Sequence, residues 1–243
     1  MSSNIQNKTD KISIIYPRSF CPKCTKTIKL IYLIPVLGFF FQKGRCSMCN
    51  QNISPFYLIT EITFLLFGMG VVYVYGFGIF CFFLLLIFFL FYILFFMDWK
   101  FYYLPFSLNL LLLVSGFISN SFFNIFVSDI SLLFNFSPFL FSLYGFLVGY
   151  FSLWIVNLIF KVIYKIDGIG GGDFILFGAL GALFGPFALA FILFLGSVSG
   201  CVIFLVFRNK FKSQVPLGSC LIFSSVLYFL IKNFELLSFL SVI

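Results

Sequence analysis

The sequence predicts an all-α polytopic membrane protein of about seven transmembrane helices, with a small cytoplasmic four-cysteine zinc-binding unit near the N-terminus. Three observations lead there. Hydrophobic residues make up 62% of the chain, charged residues 9%, and mean hydropathy is +1.16, whereas soluble domains are about one quarter charged. From residue 56 onward the apolar runs are continuous rather than alternating, which fits helices and not a barrel. Ahead of them stand two CxxC pairs, Cys21-Pro22-Lys23-Cys24 and Cys46-Ser47-Met48-Cys49. In such a chain the 42 phenylalanines read as lipid-facing and packing residues, not as a binding stripe.

Residues 1–20 are polar, lack the apolar core of a signal peptide, and read as a flexible cytoplasmic lead-in. Two CxxC knuckles match a four-thiolate zinc site, since each knuckle bends a short loop so that both sulfurs face one ion. Two disulfides or four unrelated thiols are the alternatives. Lys23, Lys26, Lys29, Lys43 and Arg45 crowd this region, which suits a cytoplasmic setting where disulfides are disfavoured. With Cys21, Cys24, Cys46 and Cys49 filling all four places, the ion has no open position and is structural. Between the knuckles, Ile31 to Phe41 is apolar, interrupted by Pro35 and too short to span a bilayer. It reads as a small core or an interfacial segment.

The first span is expected at 56–75, ended near Gly76, the second at 78–97 and the third at 104–119. A loop at 120–137 holds Asp129. The fourth span follows at 138–160, and the loop 161–172 ends in a glycine cluster. Residues 174–207 are long enough for two short helices turning near Gly185-Pro186. The seventh span starts at Pro216, reaches about Leu230 and has room to run on to the C-terminus. The domain division is thus 1–55, cytoplasmic with the zinc unit, and 56–243, the membrane domain.

Charge orients this topology. With residues 1–55 inside, the inner loops 98–103, 161–172 and 208–215 hold Lys100, Lys161, Lys165, Arg208, Lys210 and Lys212, and the N-terminal part holds eight more basic residues. The other side receives only Lys232 and the acidic Asp129. Basic residues gather on the cytoplasmic side of membrane proteins, so the net charge of +8 points to membrane orientation and not to nucleic acid.

The chain contains no histidine, which removes histidine acid–base chemistry and Ser/His or Cys/His nucleophile systems. Carboxylates are scarce too, 7 in all, and an acid at the edge of a membrane helix is a functional candidate by default. Asp98 closes span two and Asp173 opens span five, on the same side of the membrane. Two such carboxylates share one proton, leaving one acid and one base. That is the requirement for aspartic-protease chemistry. In Gly168-Ile169-Gly170-Gly171-Gly172-Asp173 the glycines are expected to allow close approach and positive φ, and the helix start places partial positive charge beside Asp173. A phosphate-cradling loop would need a preceding strand, and none is expected. Asp167 reads as a loop residue or support for the site, and Glu61 as a partner for a nearby lysine or neighbouring helix.

These residues carry a resemblance. The stretch from about residue 16 to 219 resembles the type IV prepilin peptidases, or leader peptidases, bacterial polytopic aspartic proteases. Pro17-Arg18-Ser19-Phe20 leading into the first CxxC, Ile34-Pro35-Val36-Leu37 with Gly44-Arg45 leading into the second, Asp98-Trp99 with Leu104-Pro105, the GxGxGD stretch with Ala179-Leu180-Gly181-Ala182, and Val215-Pro216-Leu217-Gly218 stand in the family's order. The resemblance implies that Asp98 and Asp173 are the catalytic aspartates, while the chemistry of the loop itself gives Gly168, Gly170, Gly172 and Asp167 a site-supporting or substrate-binding place. It implies a multi-pass protein of the bacterial inner membrane, with its N-terminus and active site cytoplasmic. It further implies cleavage of the basic leader of pilin-like precursors, prepilins or pseudopilins, typically after a glycine. Many members also methylate the new N-terminus with S-adenosylmethionine, an activity tied to the N-terminal cytoplasmic region. This sequence departs in showing no membrane helix before its first CxxC, so that span is expected to be absent or to lie upstream of Met1, which leaves methylation open. It also has Ile175 where a lysine often stands, and Phe106 where an acid often follows the proline. The competing classes are a cation- or proton-coupled transporter using Asp98 and Asp173, and an inactive subunit of a pilus or secretion machine.

Overall fold

Apolar sequence written without polar alternation folds into helices throughout the computed structural model, which describes residues 18–123, 126, 137–206 and 215–233. A 3-10 turn, Leu30–Leu33, and a short helix α1, Leu37–Phe41, precede seven longer helices: α2 Pro55–Tyr75, α3 Ile79–Phe101, α4 Phe106–Phe123, α5 Pro138–Tyr164, α6 Gly171–Phe184, α7 Pro186–Val206 and α8 Leu217–Asn233. No strand occurs among the described residues, only two isolated bridges, Phe20 with Thr27 and Arg45 with Asn52. The expected outer loop around Asp129, the basic residues at 208–212, most of the lead-in and any run to the C-terminus lie outside the described residues.

Helix starts follow from local chemistry. Ser54 and Ser137 each precede a proline at the first helical position, and their hydroxyls accept the backbone N–H of Phe56 and Leu140. Such a cap satisfies a donor that has no partner within the helix. Helix ends differ from the expected ones. α3 continues past residue 97 to Phe101 and α5 past 160 to Tyr164. Each closes on a left-handed residue, Tyr102 or Lys165, whose N–H returns to the carbonyl of Asp98 or Lys161. Hydropathy marks where lipid ends, whereas the backbone ladder runs until a cap stops it, so Asp98, Lys100 and Lys161 are helical and not in loops.

Five helices, α2 to α5 and α7, are long and apolar enough to cross a membrane. The expected break of 174–207 falls at Gly185, whose positive φ of 83° lets the chain turn into Pro186. This makes α6 only 14 residues long, about 21 Å against a hydrocarbon core of about 30 Å.

The chain forms two compact units, divided at Gly76. The first holds the cysteine knuckles and α2. In the second, α6 is the central element, buried from Leu176 to Phe184 on nearly every side and packed on α5 and α4. α8 packs on α7 and α3.

Glycines allow α5 and α6 to approach closely. A Cβ on Gly145 would collide with the carbonyl of Gly181, and one on Gly149 would lie 2.6 Å from the carbonyl of Phe177. Close contact between small residues replaces the hydrophobic drive that lipid cannot supply. Asn120 then ties three helices together, donating from α4 to Ser142 Oγ on α5 and to the carbonyls of Ala182 and Leu183 at the end of α6. Gly145→Val is expected to push these helices apart at a cost of at least 1–3 kcal/mol, on the order of other overpacked cores. Thermal unfolding of the purified protein in detergent checks this, with a lower midpoint as the expected result.

Candidate active site

Asp98 lies one turn from the end of α3 and is 5% exposed. Its Oδ2 accepts two hydrogen bonds from one residue of α8, the backbone N–H of Ser219 at 2.6 Å and the Ser219 hydroxyl at 2.9 Å. That hydroxyl also lies 3.0 Å from the carbonyl of Phe95. Ser219 stands in the first turn of α8, where backbone donors are unsatisfied and the helix end carries partial positive charge. The anion-favouring end of α8 therefore faces Asp98.

Asp173 occupies the first turn of α6, its N–H bonded to the Gly170 carbonyl at 3.0 Å. Its Oδ1 is buried and accepts no hydrogen bond. The two acids meet at Gly218. A Cβ on that glycine would lie 3.1 Å from Asp98 Oδ2 and 3.2 Å from Asp173 Oδ1. Side chains from α3 and α6 thus converge on one point of the α8 backbone, across a gap no wider than two such contacts.

Leu104 wedges the three segments together. It would touch a Cβ on Gly172 or on Gly218 at 2.8 Å. From α4, fully buried Asn109 donates to the Gly172 carbonyl at 3.0 Å, and its own Oδ1 is buried without a partner. Gly168 lies so near Phe160 that a Cβ would come within 2.7 Å of the ring, and a Cβ on Gly170 would meet Asp173 Oδ2 at 3.2 Å. Gly168, Gly170 and Gly172 therefore serve close approach. None of them is among the positive-φ residues, so the expected left-handed backbone is corrected here: the constraint is lack of room, not torsion.

The glycine loop is latched to α5. Asn157 Oδ1 accepts the N–H groups of Gly168 and Ile169 at 2.9 and 3.0 Å, while its amide donates to Asp167. Asp167 pairs with Lys161 at 3.0 Å and its side chain is 58% exposed. Hydrogen bonds from Lys161 and then Asn157 hold its carboxyl below the usual range. Asp167 braces the loop from outside and does not join the two buried acids. Among the described residues Glu61 takes neither a lysine nor a side chain of another long helix; its Oε2 accepts the backbone N–H of Val36 at 2.8 Å, at the start of α1.

Sequence reasoning did not single out Asn109, Asn157 or Ser219. The two asparagines had a weak signal, as polar side chains inside apolar runs. Ser219 had none beyond following Pro216-Leu217-Gly218.

The four knuckle cysteines form a second cluster. The sulfurs of Cys21, Cys24, Cys46 and Cys49 all lie within 4.8 Å of one another, and Cys21 and Cys49 are 3.9 Å apart. Tetrahedral thiolates about 2.3 Å from a zinc ion stand about 3.8 Å apart, so the donor set fits such a metal. Backbone amides of Cys24 and Lys23 bring the Cys21 thiol down to about 6, and those of Met48 and Cys49 lower Cys46, whereas Cys49, despite the Gln51 amide, is pushed up to about 11 by burial and the neighbouring sulfurs. Thiolate is the metal-binding form. The knuckles repeat one geometry. The residue after each second cysteine, Thr25 or Asn50, is left-handed, and its N–H returns to the carbonyl of the first, Cys21 or Cys46.

Two family models match in succession, the bacterial peptidase A24 N-terminal domain over residues 3–75 and the type IV leader peptidase family over residues 82–205. Among curated proteins, the prepilin leader peptidase/N-methyltransferase of Dichelobacter nodosus is 32% identical over 90% of this chain and 73% of its own length. The proteins so named from Legionella pneumophila and Neisseria gonorrhoeae are 34% and 32% identical over 89% of this chain, and 73% and 72% of their own lengths. No solved structure matches. The second family model covers more than half of the chain, and its limits enclose the two buried acids and the glycine loop between them: the chain belongs to the type IV leader peptidase family.

Proposed function

We propose that this protein is an aspartic endopeptidase of the bacterial inner membrane that removes the basic leader from type IV prepilin-like precursors. The observation that carries the reading is the convergence of Asp98 and Asp173 on Gly218, on a chain without histidine. Asp98 Oδ2 receives two donors and Asp173 Oδ1 none. Hydrogen bonds to a carboxylate favour its ionised form, so Asp98 is the base and Asp173 carries the shared proton. Asp98 takes a proton from water as the water oxygen attacks the scissile carbonyl carbon, and Asp173 passes its proton to the carbonyl oxygen. Breakdown of the tetrahedral species cleaves the C–N bond, delivers the proton on Asp98 to the leaving amine and returns one to Asp173. Gly168, Gly170, Gly172 and Asp167 hold the loop that positions Asp173.

The site faces the cytoplasm in this reading. Lys100 and Lys161 sit in the last turns of α3 and α5 and Lys165 caps α5, near the end of the helices where the acids lie. Residues 1–55 form the cytoplasmic region and 56–243 the peptidase domain. Zinc bound by Cys21, Cys24, Cys46 and Cys49 is structural, because four thiolates leave no open coordination position. The relatives' shared name includes N-methyltransferase, and methylation of the new N-terminus from S-adenosylmethionine belongs to the same reading.

Mass spectrometry of a co-expressed pilin-like precursor tests both activities, because leader loss and an added methyl group change mass independently. An unshortened precursor with the wild-type protein, or a shortened one with Asp173→Asn, overturns the peptidase reading. Ser219→Ala removes a hydrogen bond to the charged Asp98, worth about 1.5–3 kcal/mol. Its kcat/KM is expected to fall about ten- to a hundredfold, with activity largely recovered in Ser219→Thr, and steady-state kinetics on a precursor peptide check this.

A further inference from the structure

The apolar segment between the knuckles is not the core of the cysteine unit. No residue of Leu30–Leu33 is buried, and in Leu37–Phe41 only Gly38 is. Leu30 is 70% exposed, Phe40 60% and Phe41 56%. Residues 30–41 contain no charged side chain, yet Lys26 and Lys29 stand just before them and Lys43 and Arg45 just after. The first acidic residue after Asp10 is Glu61. Glu61 also sets the depth of the segment, because its carboxylate holds the Val36 N–H at the bend between the two short helices. It lies six residues beyond Pro55, where α2 begins, or about 9 Å along a membrane-crossing helix. At 21 residues, about 31 Å, α2 just matches a hydrocarbon core of about 30 Å, so Val36 sits in the outer acyl layer, at most about 9 Å below the headgroups.

We infer that residues 30–41 form a lipid-surface anchor, with Leu30, Ile31, Leu37, Phe40 and Phe41 entering the interfacial layer of an anionic bilayer. Lys26, Lys29, Lys43 and Arg45 meet lipid phosphates on either side. An apolar face flanked by cations is what binds such a surface. The anchor fixes the four-cysteine unit in the membrane plane and is independent of the catalytic reading.

The test uses the full chain in nanodiscs of phosphatidylethanolamine with phosphatidylglycerol. A benzophenone side chain incorporated at position 40 is expected to form phospholipid adducts on irradiation, whereas one at exposed position 47, on the second knuckle, is not. A second arm needs no substitution. Hydrogen exchange of wild-type amides at 30–41 is expected to be several-fold slower in these nanodiscs than in phosphatidylcholine alone, with exchange in α3 unchanged. A protein adduct or no adduct at position 40 overturns the anchor, as does equal exchange in the two bilayers.

Discussion

Asp98→Asn and Asp173→Asn are each expected to reduce precursor cleavage at least about 10⁴-fold, at the upper end of what general acid–base groups contribute. The protein should still insert in the membrane, because neither side chain fills the packed α5–α6 interface. The two variants should differ in detail. Asparagine at 98 removes the atom proposed to accept a proton from water, and no other carboxylate lies among its hydrogen-bond partners. Asparagine at 173 still offers an N–H donor toward a substrate carbonyl, so its residual rate is expected to be the higher one. Single-turnover cleavage of a purified precursor in detergent resolves the two. Equal residual rates would remove the assignment of base and acid while leaving the dyad intact. Wild-type rates in both would remove the dyad.

The second large effect concerns the metal. Cys46→Ser removes one of the two buried sulfurs of the proposed zinc site, and the purified protein is expected to hold no zinc by elemental analysis against one equivalent for wild type. Structural zinc contributes on the order of 10 kcal/mol or more to folding of small thiolate units. Residues 18–52 should therefore become sensitive to protease. The groups that bond or pack against the acids, Leu104, Asn109, Gly172, Gly218 and Ser219, all belong to the second compact unit. Residual cleavage should accordingly survive metal loss better than the knuckles do. Zinc content and limited proteolysis, measured on the same preparation, check both statements.

Much of this is legible in the amino-acid sequence. Continuous apolar runs mark the helices, and a carboxylate standing in such a run is costly enough to draw notice. Cysteine pairs at knuckle spacing announce that four sulfurs gather at one point. What escapes is set by tertiary meeting. Ser219 looks like any serine opening a helix, and its role exists only because α8 starts beside the end of α3. Asn109 and Asn157 are polar residues whose partners, the Gly172 carbonyl and the Gly168 and Ile169 amides, are backbone groups of a distant loop. Such groups have no side-chain signature. The glycine loop shows the same limit: sequence reveals that Cβ atoms are excluded, but steric crowding and an unusual torsion leave identical traces. Helix ends escape because hydropathy follows lipid, whereas Tyr102 and Lys165 end helices by their backbone conformation.

The repeated knuckle geometry is not uniform in access. Each loop buries its first cysteine, Cys21 or Cys46, and leaves its second, Cys24 or Cys49, nearer the surface. An oxidant or chelator arriving from water therefore encounters one sulfur of each pair before the other. Demetallation would then proceed as a stepwise peeling from the outer two sulfurs, with the inner two released last.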